Sequence, residues 1–241
     1  MTDDLCAHIM EEHRLVIAFE PSADNFRDYV TALSARLVRE GIDASGLPLF
    51  GAHVNPDLSY IAPDCFLATL GYRSSAHLET INTARLYRFE TPKTLRWLFE
   101  ICRLWYDEPE IHAPLMRCDV QSDDPRMDQP VDAAIHVGSA WVHPSLRGNG
   151  LGKAMVALHR LEAFERLGDH LMFGTTVGTK TGGFTGTTER HGTATVCMFA
   201  PGDPNGVPET QHIRIWSRDA AAKAADAIAA HGINASPAAA G

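Results

Sequence analysis

Residues 137–158 read VGSAWVHPSLRGNGLGKAMVAL, a strand, a glycine-rich turn and a helix in immediate succession. The apolar strand ends at Val142, because Pro144 has no N–H to extend a ladder. Gly148, Gly150 and Gly152 then alternate with Asn149 and Leu151 before Lys153, and an apolar helix follows to Leu167. Glycines let the backbone turn sharply and approach a ligand closely. The first N–H groups of a helix lack intrahelical partners, so they point at whatever fills the turn, and an oxyanion there also gains from the helix dipole. Arg147 and Lys153 add charge to the same place, one as a planar fork and one as a point charge. The stretch therefore fits a cradle for the phosphates of a nucleotide-like cofactor, with a tight structural turn as the bland alternative. A P-loop does not fit, since Gly152-Lys153 is followed by Ala154 and position 147 is Arg. A dinucleotide fingerprint needs G-x-G-x-x-G, and this is G-x-G-x-G.

Working outward, Arg14–Glu20 is a strand-length apolar run. Phe26, Tyr29, Leu33 and Leu37 recur at helical spacing after Ser22, up to Gly41. Residues 42–63 read as loop. Residues 65–70 and 78–89 read as strands, with Leu78, Thr80, Asn82, Ala84 and Leu86 on one face. Thr91 and Pro92 open a helical pattern to Tyr106, through Leu95, Leu98, Phe99, Cys102 and Trp105. Residues 107–130 are acidic and proline-bearing and read as a surface loop. Strands follow at 131–142 and 170–177, a mobile Gly/Thr loop at 178–192, strands at 193–199 and 212–216, and an alanine-rich helix at 219–230. The expected architecture is one mixed α/β domain over residues 1–231, built around a single sheet, with a cofactor-binding core at about 131–177. A frayed tail is expected at 232–241.

The segment 132–177 resembles the acyl-CoA-binding motif of the GNAT superfamily of N-acetyltransferases. The motif core, Arg/Gln-x-x-Gly-x-Gly/Ala, falls on Arg147, Gly150 and Gly152, with Val142 and Pro144 just upstream. The resemblance implies an acyl-CoA N-acyltransferase-like mixed sheet flanked by helices, in which the 170–177 strand splays from the motif strand to admit the cofactor. It implies that main-chain groups of Ala140, Trp141 and Val142 pair with the pantetheine arm. Arg147, Gly148, Asn149, Gly150, Leu151, Gly152 and Lys153 would cradle the pyrophosphate. The implied reaction moves an acetyl group from acetyl-CoA to an amine by direct attack on the thioester. A non-catalytic module that binds acyl-CoA as a regulatory ligand is the alternative. Two features depart from the family. The helix expected at 92–106 falls where the family has a short hairpin connection. The family's tyrosine acid is also missing, since Tyr29, Tyr60, Tyr72, Tyr87 and Tyr106 all precede the motif.

Amine attack needs a group or water to receive a proton. His136 lies on the motif strand, and its intrinsic near-neutral pKa suits a general base. Strict alternation puts it on one face with Gly138, Ala140 and Val142, and Trp141 on the other. Glu79 on a preceding strand is the second candidate, and either residue could equally be an ordinary strand residue. Cys197 and His191 could replace the missing acid, or the thiolate could leave unaided, its intrinsic pKa being about 8.5.

Thirty acidic residues against 21 Lys plus Arg give a net charge of -9, which disfavours broad nucleic-acid or anionic-membrane binding. Five cysteines without a C-x-x-C pair read as reduced thiols, hence a cytoplasmic location. The N-terminus shows no signal peptide, no apolar run is long enough to span a bilayer, and the histidines show no metal-binding spacing. The expected partner is a small-molecule or peptide amine, and a homodimer is left open as the assembly state.

Overall fold

A computed structural model describes residues 2–42, 63–74, 77–104, 117–177, 191–198 and 207–231. The expected 178–190 loop and the 232–241 tail lie outside the described residues. Eight strands form one sheet in the order β1-β2-β3-β5-β6-β8-β7-β4. They are β1 (Val16–Glu20), β2 (Phe66–Ser74), β3 (His77–Lys93), β4 (Arg117–Gln121), β5 (Val131–Val142), β6 (Leu171–Val177), β7 (Gly192–Met198) and β8 (Val207–Trp216). Neighbouring strands run antiparallel except β5 and β6, which are parallel. A parallel pair needs a crossover, and helix α4 (Leu151–Leu167) supplies it.

Helices cover both faces. Helix α1 (Thr2–His13), α4 and α5 (Arg218–His231) lie on one, where Leu5, Ile9, Met155, Leu158 and Ala225 pack with Leu67, Ile135 and Val137. Helix α2 (Ala23–Arg39) lies on the other, packing Phe26, Val30, Leu33 and Leu37 against Phe66, Ala68, Leu70 and Ile81. Short α3 (Leu95–Glu100) joins it there, with Leu98 and Phe99 against Ala134 and Phe173. Ser22 caps α2, its Oγ accepting from the Asn25 amide at 3.2 Å.

Four elements differ from the sequence reading. The helix expected from 92 is strand to Lys93, and among the described residues of that span only 95–100 is α-helical; Trp105 and Tyr106 lie outside the described residues. Thr94, not Thr91, caps it, with Oγ1 accepting from the Trp97 amide at 3.0 Å. Cys102, at φ 60°, ends the pattern in the left-handed region. The apolar period there reported burial correctly, since Leu95, Leu98, Phe99 and Cys102 are buried, but a buried turn shares that signature. β4 lies inside the expected loop at 107–130, where it pairs with β7 and its Val120 carbonyl accepts from Arg96 Nη1 of α3 at 2.9 Å. β8 begins at Val207 rather than 212. Helix α1 was not anticipated, although Leu5 and Ile9 share a face four residues apart behind Asp3 and Asp4.

Candidate functional site

β5 and β6 pair at only three positions, Ala134 with Leu171, Ile135 with Met172 and His136 with Phe173. Beyond them the strands part. β5 runs on to Val142 paired with β3, while β6 runs on to Val177 paired with β8. The result is a fork in the sheet, with one arm on each side. At its base the arms still touch: a Cβ on Gly174 would stand 2.7 Å from the Val137 carbonyl oxygen and 3.1 Å from the Trp216 ring. Only glycine fits that approach.

A β-bulge shapes the β5 arm. Thr83 is paired with Gly138 and Ile81 with Trp141, so Ser139 and Ala140 together stand against Asn82 alone. The extra residue reverses the alternation beyond it. Trp141 therefore packs on the α2 face, and Val142 on the α4 face with Ile135 and Val137. The expectation that Val142 shares the face of His136, with Trp141 opposite, is corrected by this bulge.

The glycine turn sits at the tip of the β5 arm. Residues 144–146 form a single 3-10 turn, and Arg147 follows with its Nε donating to the Val142 carbonyl at 2.9 Å. That bond aims an exposed guanidinium while leaving its terminal nitrogens to other partners. Gly148 and Gly150 adopt φ of +89° and +80°, the left-handed region that side chains disfavour. Gly150 is the N-cap of α4 and supplies no side-chain acceptor; Asn149 Oδ1 accepts from the Leu151 amide at 3.3 Å. The first turn of α4 carries no acid, whereas α1, α2 and α5 begin with Asp3 and Asp4, Asp24 and Asp219. The positive end of a 17-residue helix, with Lys153 in its first turn, thus meets the fork without an internal counter-anion among the described residues of that turn.

His136 occupies the last paired rung. Its ring stacks on Phe173 at 4.9 Å between centroids, and burial, reinforced by the charge of Arg85, pushes its pKa down to about 3. The near-neutral imidazole expected of a base is not what this position holds. On α4, His159 is likewise buried and pushed down to about 4, its Nδ1 2.8 Å from Thr69 Oγ1. Next to it, Arg160 stacks 3.8 Å from the Trp216 ring centroid, and burial, then the charge of Arg214, lowers its pKa to about 9.

Glu79 stands elsewhere. Gly71 pairs with Thr80 and Tyr72 with Leu78, so Glu79 is the extra residue of a second bulge, which turns it toward α2. This shift also puts Leu78 on the α2 face and Ala84 and Leu86 on the α4 face, where sequence alternation had grouped all three. Glu79 Oε2 lies 3.5 Å from His143 Nδ1 and 3.8 Å from Arg36 Nη2, and Oε1 lies 3.8 Å from Arg73 Nε. His143 Nε2 in turn lies 3.6 Å from Glu40 Oε2. Sequence reading missed His143 and Arg36. The position of His143, between the strand end and Pro144, was the available signal.

His191 is tied to the far half of the sheet: its Nδ1 accepts from the Ile215 amide at 2.9 Å, and its carbonyl accepts from Ser122 Oγ. The Cys197 side chain lies outside the described residues. Among the described residues no group of three His, Cys, Asp or Glu side chains could hold a metal ion, and no helix is long and apolar enough to cross a membrane.

No protein-family model matches the chain, and no curated protein matches it. Among solved structures it is similar to one described as a putative N-acetyltransferase from Lactobacillus plantarum, with 16% identity and a TM-score of 0.37, over 83% of this chain and 97% of that one. A likeness this loose says nothing of what this chain does.

Proposed function

We propose that the protein is an N-acetyltransferase that takes its acyl group from acetyl-CoA and passes it to an amine. The observation that carries this reading is the fork, with the acid-free N-terminus of α4 at the tip of one arm. A narrow chain can lie along the β5 arm, where residues 137–142 have no partner on β6, while its anionic end reaches the turn. The turn fits a pyrophosphate: it offers the positive end of α4, two backbone positions in the left-handed region, the Arg147 guanidinium and Lys153.

A bound acetyl thioester supplies an activated acyl carbon and a thiol leaving group of intrinsic pKa about 8.5. The chain's own part is to hold and orient. Main-chain groups of Ala140, Trp141 and Val142 bind the pantetheine arm, and an amide of the unpaired stretch near the bulge polarises the carbonyl. With the anionic end at the turn, the thioester lies toward the base of the fork. Glu79 adjoins the tip, about 13 Å away along four residues of strand. His136, at the base, is buried and held neutral. In this reading neither candidate takes the amine proton, which passes to solvent.

The same burial of His136 favours a second reading, a module that binds acyl-CoA without turnover. Isothermal titration with CoA and acetyl-CoA tests the shared premise. Thiol release with a panel of polyamines, aminoglycosides, amino acids and basic peptides then separates the two. Saturable CoA binding with amine-dependent release supports the transferase. Binding without release leaves the module, and no binding sinks both.

A further inference from the structure

Of the charged groups near the fork, the pair between Glu79 and the glycine turn has a geometry that the transfer reaction does not use. The His143 amide donates to the Glu79 carbonyl at 2.7 Å, which makes this the closing rung between β3 and the β5 arm. The His143 side chain then caps the turn: Nδ1 accepts from the Ser145 amide at 3.2 Å and lies 2.8 Å from Ser145 Oγ. Its carbonyl accepts from the Leu146 amide at 2.9 Å, and Arg147 follows directly. Nδ1 can accept only in the neutral ring with the proton on Nε2. The same atom faces Glu79 Oε2 at 3.5 Å, a buried oxygen with no hydrogen-bond partner among the described residues.

We propose that His143 is a positioning residue that holds the anion-binding turn in place only while its ring is neutral. Protonation turns Nδ1 from acceptor into donor, so it releases the Ser145 amide and donates to Ser145 Oγ or Glu79 Oε2 instead. The turn then loses its cap and Arg147 loses its fixed starting point. Among the described residues, the charged groups that face the ring belong to this arrangement. Glu79 comes from β3, Glu40 and Arg36 from the end of α2, and Arg73 from β2 reaches Glu79. The edge of Trp141 closes the remaining side, 6.0 Å between ring centroids.

This inference rests on the turn being the CoA phosphate site, and the experiment separates the two. The probe is 3′-dephospho-CoA, whose pyrophosphate has no monoester group titrating near pH 6. Its affinity is measured by titration calorimetry between about pH 8 and about pH 5, the range of imidazole titration. The wild-type protein should bind at the upper end and weaken by about tenfold toward the lower, the size of a lost cap. His143→Asn keeps an acceptor that cannot titrate, so it should bind as the wild type does at high pH and show a flat profile. Glu79→Gln should move the wild-type transition to lower pH. A flat wild-type profile, or an unchanged transition in either variant, overturns the role of His143 while leaving CoA binding intact. Failure to bind at any pH removes the transferase reading itself, and this inference with it.

Discussion

The carbonyl of Glu79 accepts from the amide of His143 at 2.7 Å, and their side chains face each other at 3.5 Å between Oε2 and Nδ1. A bulge residue of β3 is thereby fastened to the first residue of the glycine turn. The turn is thus not merely a local loop of β5 and α4. Its root is held by β3 and, through Arg36 and Glu40, by the end of α2.

Gly150→Val should remove CoA binding. At φ +80° a β-branched residue costs about 1–2 kcal/mol and re-aims the first amides of α4. Far-UV circular dichroism should show the fold retained while calorimetry shows no heat of binding. Unchanged affinity in the folded variant would remove the turn from the site.

Arg147→Ala should weaken CoA binding by roughly 10- to 100-fold, the worth of a charge-assisted hydrogen bond of about 1.5–3 kcal/mol. Pantetheine, which lacks phosphates, should bind both proteins alike. Equal losses for the two ligands would place Arg147 in the strand end alone, where its Nε already bonds the Val142 carbonyl.

Gly174→Ala should lower stability by about 1–3 kcal/mol, because the new methyl meets the Val137 carbonyl oxygen at 2.7 Å in a region without slack. Relief requires the arms to move apart at the base of the fork. KM for acetyl-CoA should therefore rise along with the fall in Tm. A stable variant with wild-type kinetics would show that the arms are not in register contact there.

Stability should decline in acid through His136 and His159. Each folded pKa, about 3 and about 4, lies below the unfolded value of about 6.5, so unfolding takes up a proton. Their contribution is complete above about pH 6.5 and is lost as pH falls toward the folded values, by up to about 1.4 kcal/mol per unit for each ring. Urea midpoints measured between about pH 7 and pH 5 should fall accordingly. His136→Phe, which keeps an aromatic ring against Phe173, should reduce that slope to the share of His159 and keep thiol release within about tenfold. A larger fall in kcat with an unchanged slope would return the imidazole to the chemistry.

The turn was legible in the sequence because everything that makes it is local. Gly148 and Gly150 mark left-handed backbone, Pro144 stops a strand, and an apolar period of 3.6 announces α4. The heart of α2 and the core positions of 95–102 were readable for the same reason. What periodicity could not supply is the count of residues between partners. One extra residue in β5 exchanges the faces of Trp141 and Val142, and one in β3 turns Glu79 toward α2. Nothing in either strand's own residues says which strand will lie opposite, so the bulges exist only once β2, β3 and β5 are paired. His136 shows the same limit: its residue type suggests a base, whereas Phe173, Arg85 and the surrounding core decide that it stays neutral. The sequence alone thus specified a turn able to meet an anion, through residues adjacent along the chain. The tertiary structure alone placed that turn at the tip of a fork and fastened it to Glu79, because strand pairing and burial depend on residues far away in sequence.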